Sequence, residues 1–451
     1  NARTGALEWM HDTQADGQYA RNACCGVVNR GVALADGKTL SAQYLITATG
    51  FLSQPHTPDI PGIHGFDGKV IHTTAWDDSF DPAGKRIGLI GTGFMGKAHV
   101  FGFTSAPRVF ELPFDLELHT VADITPEAAE RARQTLGFAH ATADWRTIMA
   151  DPAIDLVSIT APNALHKEMS LAAIAAGKHV YCEKPLAPLA SDALEMTLAA
   201  EARGVKTQVG FNYLCNPMLA LAREMIAAGE LGEIRGYRGI HCEDYMADPA
   251  GNYTFRHDPA GGGALADIGS HALATAEFLC GPITRVMGDC VTMIAERPDG
   301  RGGRKPVTVD DVGRAFLRFD NGATGSIEGN WIATGRKMQH DFEVYGTKGA
   351  LAFSQEHFNV LNYFSTSDAK GRQGFRRIEA SPDHPPYGLF CVAAGHQIGF
   401  NDLKAIEVAG YINAIAAKSP EPFNFRAGLR IQTLVETIQA SSAAQSWLDV
   451  K

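Results

Sequence analysis

The chain has 451 residues, 45% hydrophobic, 20% charged and 9% aromatic, with a formal net charge of −10. This composition excludes disorder over most of the length, and the length suits two or three domains. The acidic balance argues against nucleic acid as a partner, and no apolar run reaches the roughly 18–20 residues that a membrane-spanning helix needs.

Residues 1–19 are polar without an apolar core, so no secretory leader is expected. The 8 cysteines are Cys24, Cys25, Cys182, Cys215, Cys242, Cys280, Cys290 and Cys391. None has Cys-x-x-Cys spacing, so no metal site is expected, and they read as scattered thiols of a reducing cytoplasm. Residues 1 to about 84 are rich in Gly, Asp and Pro, with one strong strand at 44–49 closed by Gly50. Short apolar runs at 26–28 and 32–34 suggest a small hairpin around Asn29-Arg30-Gly31.

From Lys85 the texture changes. Residues 86–90 form a buried-strand run that ends in Gly91-Thr92-Gly93-Phe94-Met95-Gly96, and a helix-compatible stretch follows. A second strand is predicted over 116–122, ending at Asp123. Thr125-Pro126-Glu127 opens a helix, with Thr at the cap, Pro in the first turn and an acid at the positive end, and Gly137 stops it. A strand at 156–160, a helix through 173–176 stopping at Gly177, and a strand at 179–182 continue the alternation. That pattern predicts a parallel, doubly wound sheet. After about residue 209 the strands alternate in polarity over 311–319, 323–331, 341–345 and 350–353. Asn321-Gly322 and Thr347-Lys348-Gly349 sit at the joints, which predicts a mostly antiparallel sheet. Helices over 403–417 and 426–443 close the chain.

Three motifs carry chemistry. The glycines Gly91, Gly93 and Gly96, between a strand and a helix, let backbone amides approach a pyrophosphate at the positive helix end. Asp123 stands at the end of the next strand, 27 residues after Gly96. A carboxylate there accepts hydrogen bonds from ribose hydroxyls and repels a 2′-phosphate. The first basic residue after it is Arg131, so NAD is favoured over NADP. Glu183-Lys184-Pro185 follows a strand at its carboxyl end, where open α/β sheets bind ligands, so Lys184 is placed to touch a substrate oxygen. In isolation it reads rather as a solvated loop lysine. The third motif runs from Gly261-Gly262-Gly263 to Asp267 and His271. Four apart, the last two share a helix face, and a carboxylate beside an imidazole raises its basicity. In isolation they read as a helix-end carboxylate and a core histidine.

Together with Ala161-Pro162-Asn163-Ala164-Leu165-His166 and Gly210-Phe211-Asn212-Tyr213, these motifs make residues 86–451 resemble the Gfo/Idh/MocA oxidoreductases. The resemblance implies an α/β protein. A Rossmann doubly wound parallel sheet would occupy 85–208, and an α/β substrate and oligomerisation domain with a large mostly antiparallel sheet would occupy 209–451. It implies NAD bound by Gly91, Gly93, Phe94, Met95, Gly96 and Asp123, with Ala161, Pro162, Asn163, His166, Glu183 and Lys184 also on the cofactor. It implies Lys184, Asp267 and His271 as the catalytic set, acting on a secondary alcohol of a cyclic polyol or sugar. His271 would take the proton, Asp267 would orient and charge it, and Lys184 would hydrogen-bond the oxygen. The pH midpoint should then lie above the ordinary histidine value. Leu214 departs from the family, many of whose members carry Arg after the Tyr. A cytoplasmic dimer or tetramer is implied. His241, Asp244, Tyr245, Tyr253 and Arg256 are candidates for a sugar pocket or, equally, for a surface loop.

The first segment resembles something else. Phe66-Asp67-Gly68 with His72 and Trp76, and Ala48-Thr49-Gly50-Phe51, are similar to the fingerprint of Baeyer–Villiger monooxygenases. Residues 1–84 hold no glycine loop for FAD. They are expected to be an incomplete flavoprotein-like segment without FAD, with an unpartnered strand, and dispensable. Two other readings of the whole chain are a non-catalytic dinucleotide-binding sensor and a flavin monooxygenase.

Overall fold

The computed structural model describes residues 84–417 and 419–451 together with two short strands, Tyr44–Thr47 (β1) and Lys69–His72 (β2). The chain divides into two compact units, Asn1–Ala83 and Gly84–Lys451. In the first, β1 and β2 pair in parallel, with Tyr44 opposite Lys69 and Thr47 opposite His72. The strand expected to lack a partner therefore has one, and its edge on that side is satisfied. The hairpin near Asn29, Cys24 and Cys25, and the monooxygenase-like fingerprint apart from β2, lie outside the described residues.

The second unit begins with six strands: β3 (Gly84–Ile90), β4 (Asp115–Ala122), β5 (His140–Thr142), β6 (Leu156–Ile159), β7 (His179–Cys182) and β8 (Thr207–Val209). They form a parallel sheet in the order β5-β4-β3-β6-β7-β8. All four residues of β6 are buried, the continuous pattern of a sheet covered on both faces. The connecting helices are α1 (Phe94–Val109), α2 (Pro126–Leu136), α3 (Arg146–Ala150), α4 (His166–Ala175) and α5 (Ala190–Arg203). In α2 the local sequence dictates both ends. The Thr125 hydroxyl accepts from the Ala128 N–H at 3.1 Å, Pro126 fills the first turn, and Gly137 ends the helix in the left-handed region. The strand order reverses between β3 and β6, so a crevice opens at the carboxyl ends of these two strands.

After α6 (Pro217–Ala227) and β9 (Ile234–Cys242), a loop leads to a wide π-type turn, Leu265–Gly269, that runs into α7 (Ser270–Cys280). There follow β10 (Ile283–Val291), a small hairpin of β11 (Glu296–Pro298) and β12 (Arg304–Pro306), then β13 (Val312–Phe319), β14 (Thr324–Asn330), β15 (Gln339–Gly346), β16 (Gly349–Ser354), β17 (Val360–Ser365) and β18 (Arg376–Glu379). The chain closes with α8 (Tyr387–Phe390), α9 (Phe400–Ile415), α10 (Phe425–Ala444) and β19 (Leu448–Asp449). The second sheet runs β18-β17-β16-β15-β9-β14-β13-β10-β19. Its neighbours are antiparallel except β9 with β14, which are parallel.

Strand β13 shows the logic of a one-sided core. Ala315, Leu317 and Phe319 are buried, while Arg314, Phe316 and Arg318 face outward. Helix α7 packs on β9 and α10 on β10, while α9 returns to lie against α1 and α10 also meets α5. The last two helices therefore bind the sheet layer back onto the parallel layer. Among the described residues no helix is long and apolar enough to cross a membrane.

Candidate active site

A cavity of about 930 Å³ opens at the crevice between β3 and β6 and extends to the π-type turn and the end of β9. At one end are Gly91, Gly93, Phe94, Met95 and Asp123. Gly91 has φ +92, and a Cβ there would stand 2.9 Å from the Thr160 carbonyl oxygen, so only glycine lets the loop pass. A Cβ on Gly93, at the start of α1, would meet nothing within 4 Å. The backbone at the helix's positive end is thus open to a ligand. Asp123 accepts from the Thr92 hydroxyl and from the Ile124 N–H at 2.7 Å, which leaves acceptor capacity for a ribose. Ile124 and Phe94 on the rim are 89% and 72% exposed, bare apolar surface suited to a flat ring. The residues present therefore fit a dinucleotide.

Ala161, Pro162 and Asn163 continue the wall. Asn163 donates to the Gly261 carbonyl at 3.2 Å, which ties the cofactor side to the glycine run. Two expected cofactor residues do not line the cavity. Gly96 is buried where α1 meets the loop, and a Cβ there would run into Gly91. His166 is fully buried, its ring nitrogens 2.9 Å from the carbonyls of Pro185 and Ala161. It braces the two loops from behind.

At the other end the structure brings together Lys184, Asp267 and His271, but not as the spacing suggested. Lys184 Nζ donates to the Asp267 carboxylate at 2.7 Å and to its backbone carbonyl at 2.6 Å. The other carboxylate oxygen accepts from Tyr245 at 2.8 Å and Arg256 at 2.9 Å. Burial opposes the charge on Asp267, but Lys184 and Arg256 outweigh it and hold the carboxyl well below its ordinary range. No side-chain hydrogen bond joins Asp267 to His271. The reason is competition for the carboxylate: one oxygen is taken by Lys184 and the other by Tyr245 and Arg256, so His271, on the same cavity wall, is left without it. The expected carboxylate–imidazole pair is replaced by a carboxylate–lysine pair.

His271 instead packs among rings. The Tyr213 ring lies 4.6 Å from it, Phe211 5.8 Å and His241 5.4 Å, centroid to centroid. Burial, then the charge on Lys184, pushes its pKa well below the ordinary histidine value. The ring is neutral at neutral pH, and the expectation of a raised value is overturned. His241 stacks on His340 at 4.9 Å. Among the described residues no group of three or more His, Cys, Asp or Glu is placed to hold a metal. Tyr245, Arg256 and His241 line the cavity, whereas Asp244 pairs with Lys337 and Tyr253 packs against Lys305 and His257, outside it.

Glu183 lines the cavity yet turns its carboxylate into the protein. It accepts from His99 at 2.8 Å, from Lys404 at 2.8 Å and from the Lys184 backbone N–H at 3.1 Å. Lys404, on α9 and fully buried, also reaches Glu407 at 2.9 Å and Tyr181 at 3.0 Å. Burial opposes charge on Glu183, but Lys404 and His99 win and hold it well below the usual carboxylate range. Sequence reasoning missed Lys404, although a signal existed. Between Leu403 and Ile415 the only charged residues are Lys404 and Glu407, so the helix has almost no polar face. Glu243, Met338 and Phe400, also on the cavity wall, carried no motif.

The model of the oxidoreductase family with an NAD-binding Rossmann fold matches residues 85–211, and that of the GFO/IDH/MocA C-terminal domain matches 219–352. Neither reaches residues 1–84, so the likeness of that segment to flavin monooxygenases rests on its motif alone. The chain is 37% identical over 382 residues to a levoglucosan dehydrogenase of Pseudarthrobacter phenanthrenivorans, covering 81% of this chain and 98% of that one. It is 30% identical over 288 residues to the scyllo-inositol 2-dehydrogenase (NAD(+)) of Bacillus subtilis, covering 61% and 73%. A solved structure of levoglucosan dehydrogenase with NADH and levoglucosan superposes with TM-score 0.79 over 82% of this chain and 99% of that one, at 37% identity. An NAD-binding oxidoreductase from Klebsiella pneumoniae superposes with TM-score 0.78 at 39% identity, over 82% and 100%. With its glycine loop, its Asp123 and these matches, the chain belongs to the Gfo/Idh/MocA family of NAD-dependent oxidoreductases.

Proposed function

We propose that the protein oxidises a secondary alcohol of a cyclic sugar or polyol, and that an anhydropyranose of the levoglucosan kind is its first candidate substrate. The observation that carries this reading is the Lys184–Asp267 ion pair, 2.7 Å apart, beside a neutral buried imidazole in the same cavity as the dinucleotide loop. The likeness to a levoglucosan dehydrogenase over 98% of that protein's length supports the substrate class.

NAD, when bound, supplies the hydride acceptor. An ammonium has three donors. Lys184 spends two on Asp267, and the third is free to bond the substrate oxygen as it becomes a carbonyl. Asp267 does not charge the histidine; it positions the lysine, and Tyr245 and Arg256 occupy its second oxygen. Burial pushes the Tyr245 hydroxyl well above its ordinary pKa, so it stays a donor. His271, neutral and held by the Tyr213 ring, accepts the hydroxyl proton. Residues 1–84 are assigned no part in this chemistry. The reading extends to a cytoplasmic homo-oligomer, which sedimentation tests. The free thiols of Cys182, Cys242 and Cys280, all buried, suit a reducing compartment.

The test is NADH formation with a panel of inositols, aldoses and anhydrosugars. Levoglucosan should give the highest kcat/KM. If no cyclic secondary alcohol in the panel reduces NAD, the proposal fails.

A further inference from the structure

We propose that Glu243 is the carboxylate by which the cavity selects its substrate, accepting a hydroxyl of a neutral sugar and turning away sugars that bear a carboxylate or phosphate. This rests on the sugar-dehydrogenase reading and narrows it.

The argument is one of elimination among the cavity's carboxylates. Asp123 lies at the dinucleotide end and is engaged by Thr92 and Ile124. Glu183 is saturated by His99, Lys404 and the Lys184 N–H. Asp267 is saturated by Lys184, Tyr245 and Arg256. Glu243 remains. It follows β9 directly, its backbone N–H held by the Asn330 carbonyl at 2.9 Å and its carbonyl by the Ala333 N–H at 2.9 Å, so its position is rigid. Its Oε1 accepts from His241 Nε2 at 2.9 Å, and its Oε2 has no partner among the described residues.

His241 supplies no charge. Burial and then Lys184 push its pKa down to about 3, so it donates as a neutral ring. Neither cation of this end bonds Glu243: Lys184 gives two of its donors, and Arg256 its Nε, to Asp267. Asp244, on the same segment, is taken by Lys337. Tyr213 and Tyr245 are neutral, their pKa values raised by burial. Glu243 is therefore a half-buried carboxylate without a cation. Such a group seeks a hydroxyl donor, and it repels a second anion in a low-dielectric pocket. Burial, with Asp267 adding and Lys184 and Arg256 subtracting, raises its pKa to about 7, so its charge changes within the working range.

The experiment titrates NADH-saturated protein with levoglucosan, glucuronate and glucose 6-phosphate, for wild type, Glu243→Gln and Glu243→Asp. Wild type should bind levoglucosan at least ~100-fold more tightly than either anion. Glu243→Gln should weaken levoglucosan about tenfold, as a charged acceptor becomes neutral, and narrow the gap to the anions at least tenfold, with NADH affinity unchanged. Glu243→Asp keeps the charge and should keep the discrimination. In wild type, kcat/KM should rise with pH through about 7 as Glu243 ionises, and this limb should vanish in Glu243→Gln. Equal binding of glucuronate and levoglucosan by wild type, or Gln and Asp variants that behave alike, would overturn the proposal. A failure of all cyclic alcohols to be oxidised would instead sink the function reading, since the titration scores Glu243 without turnover.

Discussion

Replacing Lys404 by Met probes the least expected part of the structure. The ammonium is fully buried and lies 2.8 Å from Glu183 and 2.9 Å from Glu407. Removing one partner of a buried ion pair leaves uncompensated charge and costs about 3–5 kcal/mol. The loss must also depend on pH, and its sign follows from which group changes. In the wild type Glu183 is depressed below its unfolded value, once Lys404 and His99 outweigh burial. It therefore contributes stability at neutral pH that is lost only in strong acid. In the variant burial is no longer opposed by Lys404, so the folded pKa of Glu183 rises above the unfolded value. Stability is then greatest below the unfolded pKa and falls as pH rises through the folded one. The deficit should thus be about 3–5 kcal/mol at pH 8 and shrink to under ~2 kcal/mol near pH 5. Urea unfolding of cofactor-free protein at both pH values measures it, with the slope m unchanged. Lys404→Met with Glu407→Gln removes one of the two stranded carboxylates and should recover about half the loss. A deficit below ~1 kcal/mol at pH 8, or one equal at both pH values, would show that Lys404 does not neutralise Glu183.

Other expected outcomes follow from the cavity. Because Asp123 stands at the end of β4 without a neighbouring base, NAD should bind at least ~10-fold tighter than NADP, and Asp123→Ser should narrow the gap; equal affinities in wild type refute this. Lys184→Ala should lower kcat about 10²–10⁴-fold with NAD affinity little changed, and a variant that keeps a third of wild-type turnover excludes a catalytic lysine. Since burial keeps His271 neutral, kcat should be level from pH 6.5 upward and fall only well below that, with Asp267→Asn lowering its height and not moving its midpoint. A histidine limb above 6.5 in the kcat profile would restore the carboxylate–imidazole pair. A chain starting at Gly84 should keep NAD binding and turnover, because the cavity-lining residues lie at Ile90 and beyond; loss of both on truncation refutes dispensability.

The parallel sheet was legible because its signals are local. Strand 179–182, the Thr125 cap and the Gly137 stop each rest on a few adjacent residues, and each stands where expected. The alternating strands after Asp311 were legible for the same reason, down to the turn at Asn321-Gly322. The catalytic residues were found, but their pairing was not. Spacing puts Asp267 and His271 on one cavity wall, but it does not report that Lys184, Tyr245 and Arg256 take the carboxylate oxygens. The turn that carries Asp267 is also held from a distance: Asp310, 45 residues on, accepts from the Leu265 N–H at 2.8 Å, and Gly263, at φ +76, lets the chain pass over that carboxylate. No pattern within the segment reports a distant carboxylate. The partner of β1 was likewise invisible, because pairing across 25 residues is set by tertiary structure. Glu243 and Lys404 stood in no motif, since their meaning depends on what faces them.

The sequence distance between Glu183 and Lys404 has a consequence for how the protein comes into being. The two residues are separated by 221 positions, so the turn that bears Lys184 is written well before its counter-ion. During synthesis the glycine loop and the parallel strands leave the ribosome before α9 does. The carboxylate beneath Lys184 must wait for α9 to emerge and dock against α1. A chain without α9 would therefore hold a dinucleotide cradle with the Glu183 carboxylate uncompensated. The turn that carries Lys184 gains its full charge balance only with α9.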